Sequence, residues 1–184
     1  MIRFAAPDDA PALLAVYAQY IDTSITFEYE LPSLAEFRRR IEDFSHKYPY
    51  LVHETDGVVD GYAYAHRFAP RAAYQWSAEL SVYLDGAARG RGLGRTLYEA
   101  LMELLALQGV RTVYGLVTTP NEASDRLHRA LGFTVAGVTH NVGYKAGRWR
   151  GVTYYEKAIA PYDDDPAPFK SIRDMDPKEI GSVL

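Results

Sequence analysis

Strand-like and helix-like segments alternate along this chain, and the alternation predicts an α/β layer architecture. Two further observations narrow the prediction. The chain has 184 residues, and at about 100–200 residues per domain that length favours one domain. It has no cysteine, so no disulfide framework holds it, and about 150 residues already bury enough surface to do without one.

The elements follow in order. Residues 1–6 alternate apolar and polar enough for a first strand. Asp8 and Asp9 open a helix that tolerates Pro11 in its first turn and lines up Leu13, Leu14, Tyr17 and Ile21 on one face. Residues 23–31 are β-branched and aromatic and read as an extended loop. Ser33 and Glu36 have capping-box spacing, ahead of a helix bearing Phe37, Ile41 and Phe44. Residues 50–54 and 58–66 read as two strands joined at Asp56-Gly57, a strong hairpin signal. Residues 78–84 form another strand, with Glu79, Ser81 and Tyr83 on one face and Leu80, Val82 and Leu84 on the other. A Gly/Arg-rich loop follows, then a helix over 93–108 with Leu97, Leu101, Leu104 and Leu105 as its buried stripe and Gly109 as its stop. Residues 112–118 are a strand and 121–131 a helix ended by Gly132. Residues 133–142 and 152–159 are the last two strands, with 143–151 turn-rich between them.

Charge is unevenly placed. The formal net charge is −4. Residues 160–184 hold six acids and three bases, leaving 18 acids against 17 bases in the body. With four prolines as well, this stretch is expected to be a solvated or loosely packed extension beyond a domain at 1–159. The acidic pI of about 5.7 argues against nucleic acid as a partner. No apolar run is long enough for a membrane span, and the first ten residues are too charged for a signal peptide. Zero Cys fits a reducing compartment, so a cytoplasmic protein is expected. His46, His53, His66 and His140 lack metal-ligand spacing, so no metal is expected.

The stretch that carries chemistry is Arg89-Gly90-Arg91-Gly92-Leu93-Gly94-Arg95, between a strand and a helix. Glycines let backbone approach a ligand closely, and amides at a helix N-terminus bind anions. The physical reading is a phosphate cradle. It is neither a P-loop, for want of the Lys-Ser/Thr ending, nor a Rossmann loop, because the glycines fall at 90, 92 and 94.

Arg89-x-x-Gly92-x-Gly94, after a strand and opening a helix, resembles the acetyl-CoA pyrophosphate motif of the GNAT superfamily of N-acyltransferases. Asn121 after the next strand, and Ala130-Leu131-Gly132-Phe133 beyond, strengthen the resemblance. Thr23-Ser24-Ile25-Thr26-Phe27-Glu28, Gly61-Tyr62-Ala63-Tyr64-Ala65, Arg126-Leu127-His128-Arg129 and Gly143-Tyr144-Lys145 look like the phosphinothricin/methionine sulfoximine N-acetyltransferases. The resemblance covers residues 1–159. It implies a mixed, mostly antiparallel central sheet with helices on both faces, acetyl-CoA as cofactor, a small amino-acid-like amine as substrate, and a homodimer.

It also implies roles. Glu79, flanked by apolar neighbours that should raise its pKa, takes the general-base position. Val82, Tyr83 and Leu84 would hold the pantetheine arm through backbone groups, and Gly90, Arg91, Gly92, Leu93, Gly94 and Arg95, with Arg89, the pyrophosphate. Asn121, a helix N-cap in its own right, would also bond the coenzyme, with Ser124 beside it. His128 stands where many superfamily members have a tyrosine acid and would protonate the leaving thiolate. Phe27, Glu28, Arg71, Tyr74, Trp76 and Tyr144 are the expected acceptor contacts, Arg71 as a carboxylate fork and Tyr144 from the last pair of strands, in the same subunit or a neighbouring one. With no Cys, transfer is direct. The rivals are a protein N-terminal or lysine acetyltransferase and a non-catalytic acyl-CoA sensor.

Overall fold

A computed structural model describes residues 1–184. Seven strands form one sheet in the order β1-β2-β3-β4-β5-β7-β6. The strands are β1 Ile2–Phe4, β2 Tyr50–Thr55, β3 Val58–Arg67, β4 Ser77–Leu84, β5 Thr112–Thr119, β6 Thr134–Lys145 and β7 Arg148–Ala158. Every neighbouring pair is antiparallel except β4 and β5, which run parallel. The helices are α1 Ala10–Ala18, α2 Leu34–Ser45, α3 Leu93–Leu107, α4 Glu122–Ala130 and α5 Pro177–Gly181. The α/β expectation, with its mostly antiparallel sheet, holds.

Alternation along the strands builds two cores. Tyr50, Val52 and Tyr62 pack with Leu13, Val16, Phe37 and Ile41 of α1 and α2. Their sequence neighbours Leu51 and Ala63 turn the other way, onto Leu97, Leu101, Leu104 and Leu105 of α3. The period of two divides side chains between the faces, so each helix layer receives its own apolar set.

Three local expectations shift. The first helix begins at Ala10 because Pro7–Asp9 is a 3₁₀ turn, where the Asp9 carboxylate accepts from the Ala6 amide at 2.7 Å and from Arg3 at 2.7 and 2.8 Å. The capping box is half made. Ser33 Oγ accepts from the Glu36 amide, but the Glu36 carboxylate turns to Arg40 at 2.6 Å. The stretch 143–151 is strand on both sides of a two-residue turn, Ala146-Gly147, with φ of 51° and 73°. Positive φ at both central residues suits the twist of a two-residue hairpin.

The largest correction concerns residues 160–184, which are not a loose extension. Ile172 and Met175 belong to the α3-side core, with Phe169, Ile180 and Val183 packed against it. The buried Gln108 side chain donates to the carbonyls of Lys47 at 2.7 Å and Lys170 at 2.8 Å, and the Ile172 amide donates to Lys47 O at 3.0 Å. Acids and prolines dominate this stretch by number, but Phe169, Ile172, Met175, Ile180 and Val183 turn inward, while Tyr162 and Leu184 stay exposed. Ile172→Ala is expected to cost about 2–5 kcal/mol, the range for truncating a buried aliphatic chain. Urea unfolding measures it; a midpoint equal to the parent's would remove this stretch from the core. No helix is long and apolar enough to cross a membrane.

Candidate active site

The parallel pair β4/β5 is bonded only from Ser77↔Thr112 to Leu80↔Gly115. Beyond Leu80 the two strands diverge, and each continues four residues with no strand opposite. Backbone parity decides what faces the gap. The Ala65 amide donates to Pro49 O on the β2 side. Ala65, Ala63 and Gly61 therefore turn their polar groups from β4, and their partners Leu80, Val82 and Leu84 turn theirs towards β5. Of the three residues expected to hold a pantetheine arm, Val82 keeps backbone groups free at the gap. Tyr83 faces its groups to β3. Leu84 is already engaged: its amide donates to the Tyr20 hydroxyl at 3.0 Å, and that hydroxyl donates to Leu84 O at 2.6 Å.

The glycine loop closes the gap at one end. Gly92 is the N-cap of α3 with φ 82°, Gly90 has φ 76°, and a Cβ at either would meet nothing within 4 Å. The first amide bonded inward is that of Arg95, to Gly92 O at 3.0 Å. The amides of Arg91, Gly92, Leu93 and Gly94 have no partner in the chain, and the helix dipole adds positive potential there. This open cradle fits a pyrophosphate. The three arginines differ. Arg89 lies over the Tyr20 ring at 4.7 Å, Arg95 pairs with Glu99 at 2.8 Å, and only Arg91 has no bonded partner.

A narrow slot of about 70 Å³ runs from this gap between Val82, Tyr83, Tyr98, Asn121, Ser124 and His128. Asn121 caps α4, its Oδ1 accepting from the Ser124 amide at 3.2 Å. His128 is buried, and its Nδ1 lies 2.8 Å from Ser124 O. A carbonyl only accepts, so the proton sits on Nδ1 and Nε2 presents a lone pair, buried with no partner. Burial also pushes the imidazole pKa down, against the Ser124 bond and the Asp125 charge. A neutral ring with its lone pair at Nε2 has no proton there to give, so the resting geometry departs from the acid role expected of His128. Tyr98 lines the same slot, and burial raises its phenol pKa, which keeps its proton in place.

On the opposite face of β4 lies a cleft of about 460 Å³. Glu79, Ser81 and Tyr83 form one wall, as the alternation predicts. Tyr62, Tyr64 and His66 of β3 extend it, and Phe27 and Glu28 of the 23–31 loop cover it. That loop is held on three sides. Thr26 and Tyr17 share a hydroxyl bond at 2.7 Å, the Phe27 ring lies against Gly143, and Lys145, buried, donates from Nζ to the carbonyls of Ile21 and Glu28. Burial raises the Glu79 pKa, opposed by His66, whose Nε2 stands 3.7 Å from Glu79 Oε1. Glu79 makes no hydrogen bond to the protein, so the carboxylate is open to an incoming group.

Four expected acceptor contacts do not line this cleft within the single chain. Arg71 precedes a 3₁₀ turn outside the cleft, and Tyr74 is exposed against Phe68. Trp76 donates from Nε1 to Ala167 O at 2.9 Å, drawn off by the packed 160–184 stretch. Tyr144 is exposed, stacks edge-on with Trp149, and gives only its carbonyl, to the Tyr29 hydroxyl at 2.5 Å. The sequence reading missed Arg40, the one guanidinium lining the cleft, which holds Glu28 and Glu36 at 2.6 Å each. It also missed Tyr62, Tyr64 and His66, whose period-two spacing in β3 was a usable signal.

Comparison with known proteins agrees with this geometry. The profile of the acetyltransferase (GNAT) domain matches residues 2–154. A phosphinothricin N-acetyltransferase of Streptomyces viridochromogenes is 36% identical over 173 residues, 94% of this chain and 92% of its own. An L-methionine sulfoximine/L-methionine sulfone acetyltransferase of Pseudomonas aeruginosa is 33% identical, over 90% of this chain and 98% of its own. A GNAT superfamily phosphinothricin acetyltransferase from Sinorhizobium meliloti, solved in complex with AcCoA, superposes with a TM-score of 0.85 at 30% identity, covering 94% of this chain and 98% of its own. This chain therefore belongs to the GNAT acetyltransferase family and is an acetyl-CoA-dependent N-acetyltransferase.

Proposed function

We propose that the acceptor is a small amino-acid-like primary amine, of the class named for the phosphinothricin and methionine sulfoximine relatives, and that Glu79 is the base that deprotonates it. One observation carries the reading: Glu79 is a desolvated carboxylate with no protein donor on the wall of the tyrosine-lined cleft, on the same β4 face as Ser81 and Tyr83, which also line the slot at the β4/β5 gap. An ammonium in the cleft meets that carboxylate and gives up a proton, leaving a neutral nucleophile.

Acetyl-CoA supplies the acetyl group as an activated thioester. Gly90 through Gly94 offer amides to its pyrophosphate, with Arg91 the guanidinium left free for it. The Val82 backbone groups lie along the arm's course, and Asn121 and Ser124 border the slot. Tyr98 offers its phenol hydrogen to the departing sulfur in that slot, where the His128 Nε2 has none; burial disfavours the phenolate, so this hydrogen bond stabilises the thiolate and the thiol's final proton comes from solvent. An acceptor carboxylate would draw on Arg40 in exchange with Glu28.

The chain acts as a cytoplasmic homodimer in this proposal. Val135, Val138, Tyr144 and Trp149 are all exposed on the β6–β7 hairpin at the sheet edge, an apolar set that suits a second copy. Sedimentation at micromolar protein is expected to give twice the 20.6 kDa chain mass; a monomer would rule the dimer out. Thiol release from acetyl-CoA is then measured with a panel of amino acids, simple amines and peptides. Release with phosphinothricin or methionine sulfoximine, and none with peptides, is the expected result. Release with peptides alone would make this a protein acetyltransferase, and acetyl-CoA binding without release a sensor.

A further inference from the structure

Transfer of an acetyl group from a thioester to an ammonium has an unavoidable proton balance. The ammonium loses two protons, the thiol takes one, and one net proton leaves the protein each turnover. When the acceptor fills the cleft beneath the Phe27 loop, Glu79 is cut off from water on that side.

A second cavity, of about 600 Å³, lies behind the cleft and shares two residues with it, Phe44 and His66. His66 thus stands in the partition. Its ring is stacked on Phe44 at 5.4 Å, its Nδ1 is 3.0 Å from Arg67 O, and its Nε2 is 3.7 Å from Glu79 Oε1. The Arg67 carbonyl can only accept, which puts the His66 proton on Nδ1 and turns the Nε2 lone pair towards the carboxyl group. A carboxylate facing a lone pair is repulsive unless a proton sits between them. The pair is thereby set to exchange one.

The geometry points to His66 as the proton exit of the active site, carrying the substrate's proton from Glu79 to water in the second cavity. This rests on the reading of Glu79 as the base. The step balances: the acceptor N–H bond breaks as Glu79 O–H forms, Glu79 O–H breaks as His66 Nε2–H forms, and the imidazolium yields that proton to water. The 3.7 Å gap is closed by a small turn of the ring or by one water. Other charged groups around the pair are Glu28 and Arg40 on the cleft side, and Asp43, Lys47 and Arg67 on the side of the second cavity. The Tyr64 phenol packs beside the ring.

The test uses the full chain, measuring thiol release with acetyl-CoA and an accepted amine at low buffer concentration. His66→Ala is expected to lower kcat by up to about 10²-fold, the low end for a positioned proton-transfer group, with the acceptor KM little changed. Added imidazole should restore the rate saturably by occupying the vacated partition. His66→Gln keeps the bulk but carries no proton; it should lose rate equally and resist rescue. Parental kcat in His66→Gln, or a loss in His66→Ala that imidazole leaves untouched, would overturn the relay. Glu79→Gln separates the two readings. If it stays active, the base assignment falls and the relay with it. If it is inactive while His66→Gln runs at the parental rate, the relay alone falls.

Discussion

Glu79→Gln lowers turnover by about 10²-fold or more, the usual contribution of a general base, and leaves the fold intact. The amide is isosteric and cannot take a proton. Glu79 receives no hydrogen bond from the protein, and its only ionic neighbour is His66 at 3.7 Å, so the substitution strands no buried partner. Its folded pKa is raised by burial. A carboxyl group of that kind stabilises the fold when protonated, and this contribution is lost as pH rises through the folded pKa. The glutamine form is accordingly expected to unfold no earlier than the parent at neutral pH. In the parent, turnover rises with pH as Glu79 loses its proton, and the raised pKa places that rise above the ordinary carboxylate range. The limb disappears in Glu79→Gln. Thiol-release rates across the acidic and neutral range measure both effects, and a variant with the parental rate and profile would take Glu79 out of the chemistry.

Gly115→Ala lowers the melting temperature and weakens coenzyme binding together. Gly115 is the last β5 residue paired with β4, and a Cβ there would stand 2.1 Å from His128 Nε2. The imidazole can give way only into the slot it lines. It stacks on Tyr155 at 4.9 Å, meets the edges of Phe133 at 5.0 Å and Tyr98 at 5.7 Å, and is tethered through Nδ1 to Ser124 O. Overpacking of this kind costs about 1–3 kcal/mol, and each kcal/mol is about 2–4 °C in a domain of this size. The displaced methyl group or ring narrows the slot between the diverging strands, so affinity for acetyl-CoA falls too. Adding His128→Ala to Gly115→Ala makes room for the methyl and should return part of the lost stability. Calorimetry of the single and double variants decides it; strictly additive losses would show that the two residues do not press on each other.

Where one element fixes its own side chains, the site was legible in the sequence. The alternation in β4 sent Glu79, Ser81 and Tyr83 to the cleft and Val82 to the gap. The glycines before α3 announced a cradle, and Asn121 announced its cap. What depends on two distant segments meeting was hidden. Arg40 shares the helix face of Phe37 and Phe44, which sets it apart from Arg38 and Arg39, but that face reads as core until β3 and the 23–31 loop are brought against it. The family resemblance puts Trp76 at the acceptor site, but its indole answers to a carbonyl 91 residues later. Residues 160–184 misled because composition counts acids and prolines, whereas packing counts which side chains can reach an apolar groove.

That packing has a bearing on the order of events during synthesis. The seventh strand ends at Ala158, yet Ile172 and Met175, which complete the core over α3, are translated afterwards. A chain made at about 5–20 residues per second thus clears its sheet strands from the ribosome before the plug for one of its faces. Until then Gln108 waits for the Lys170 carbonyl and Trp76 for that of Ala167. Without that stretch the loop between β3 and β4 loses the tethers of Gln75 and Trp76, and a released chain truncated at residue 165 should be cut by protease there first.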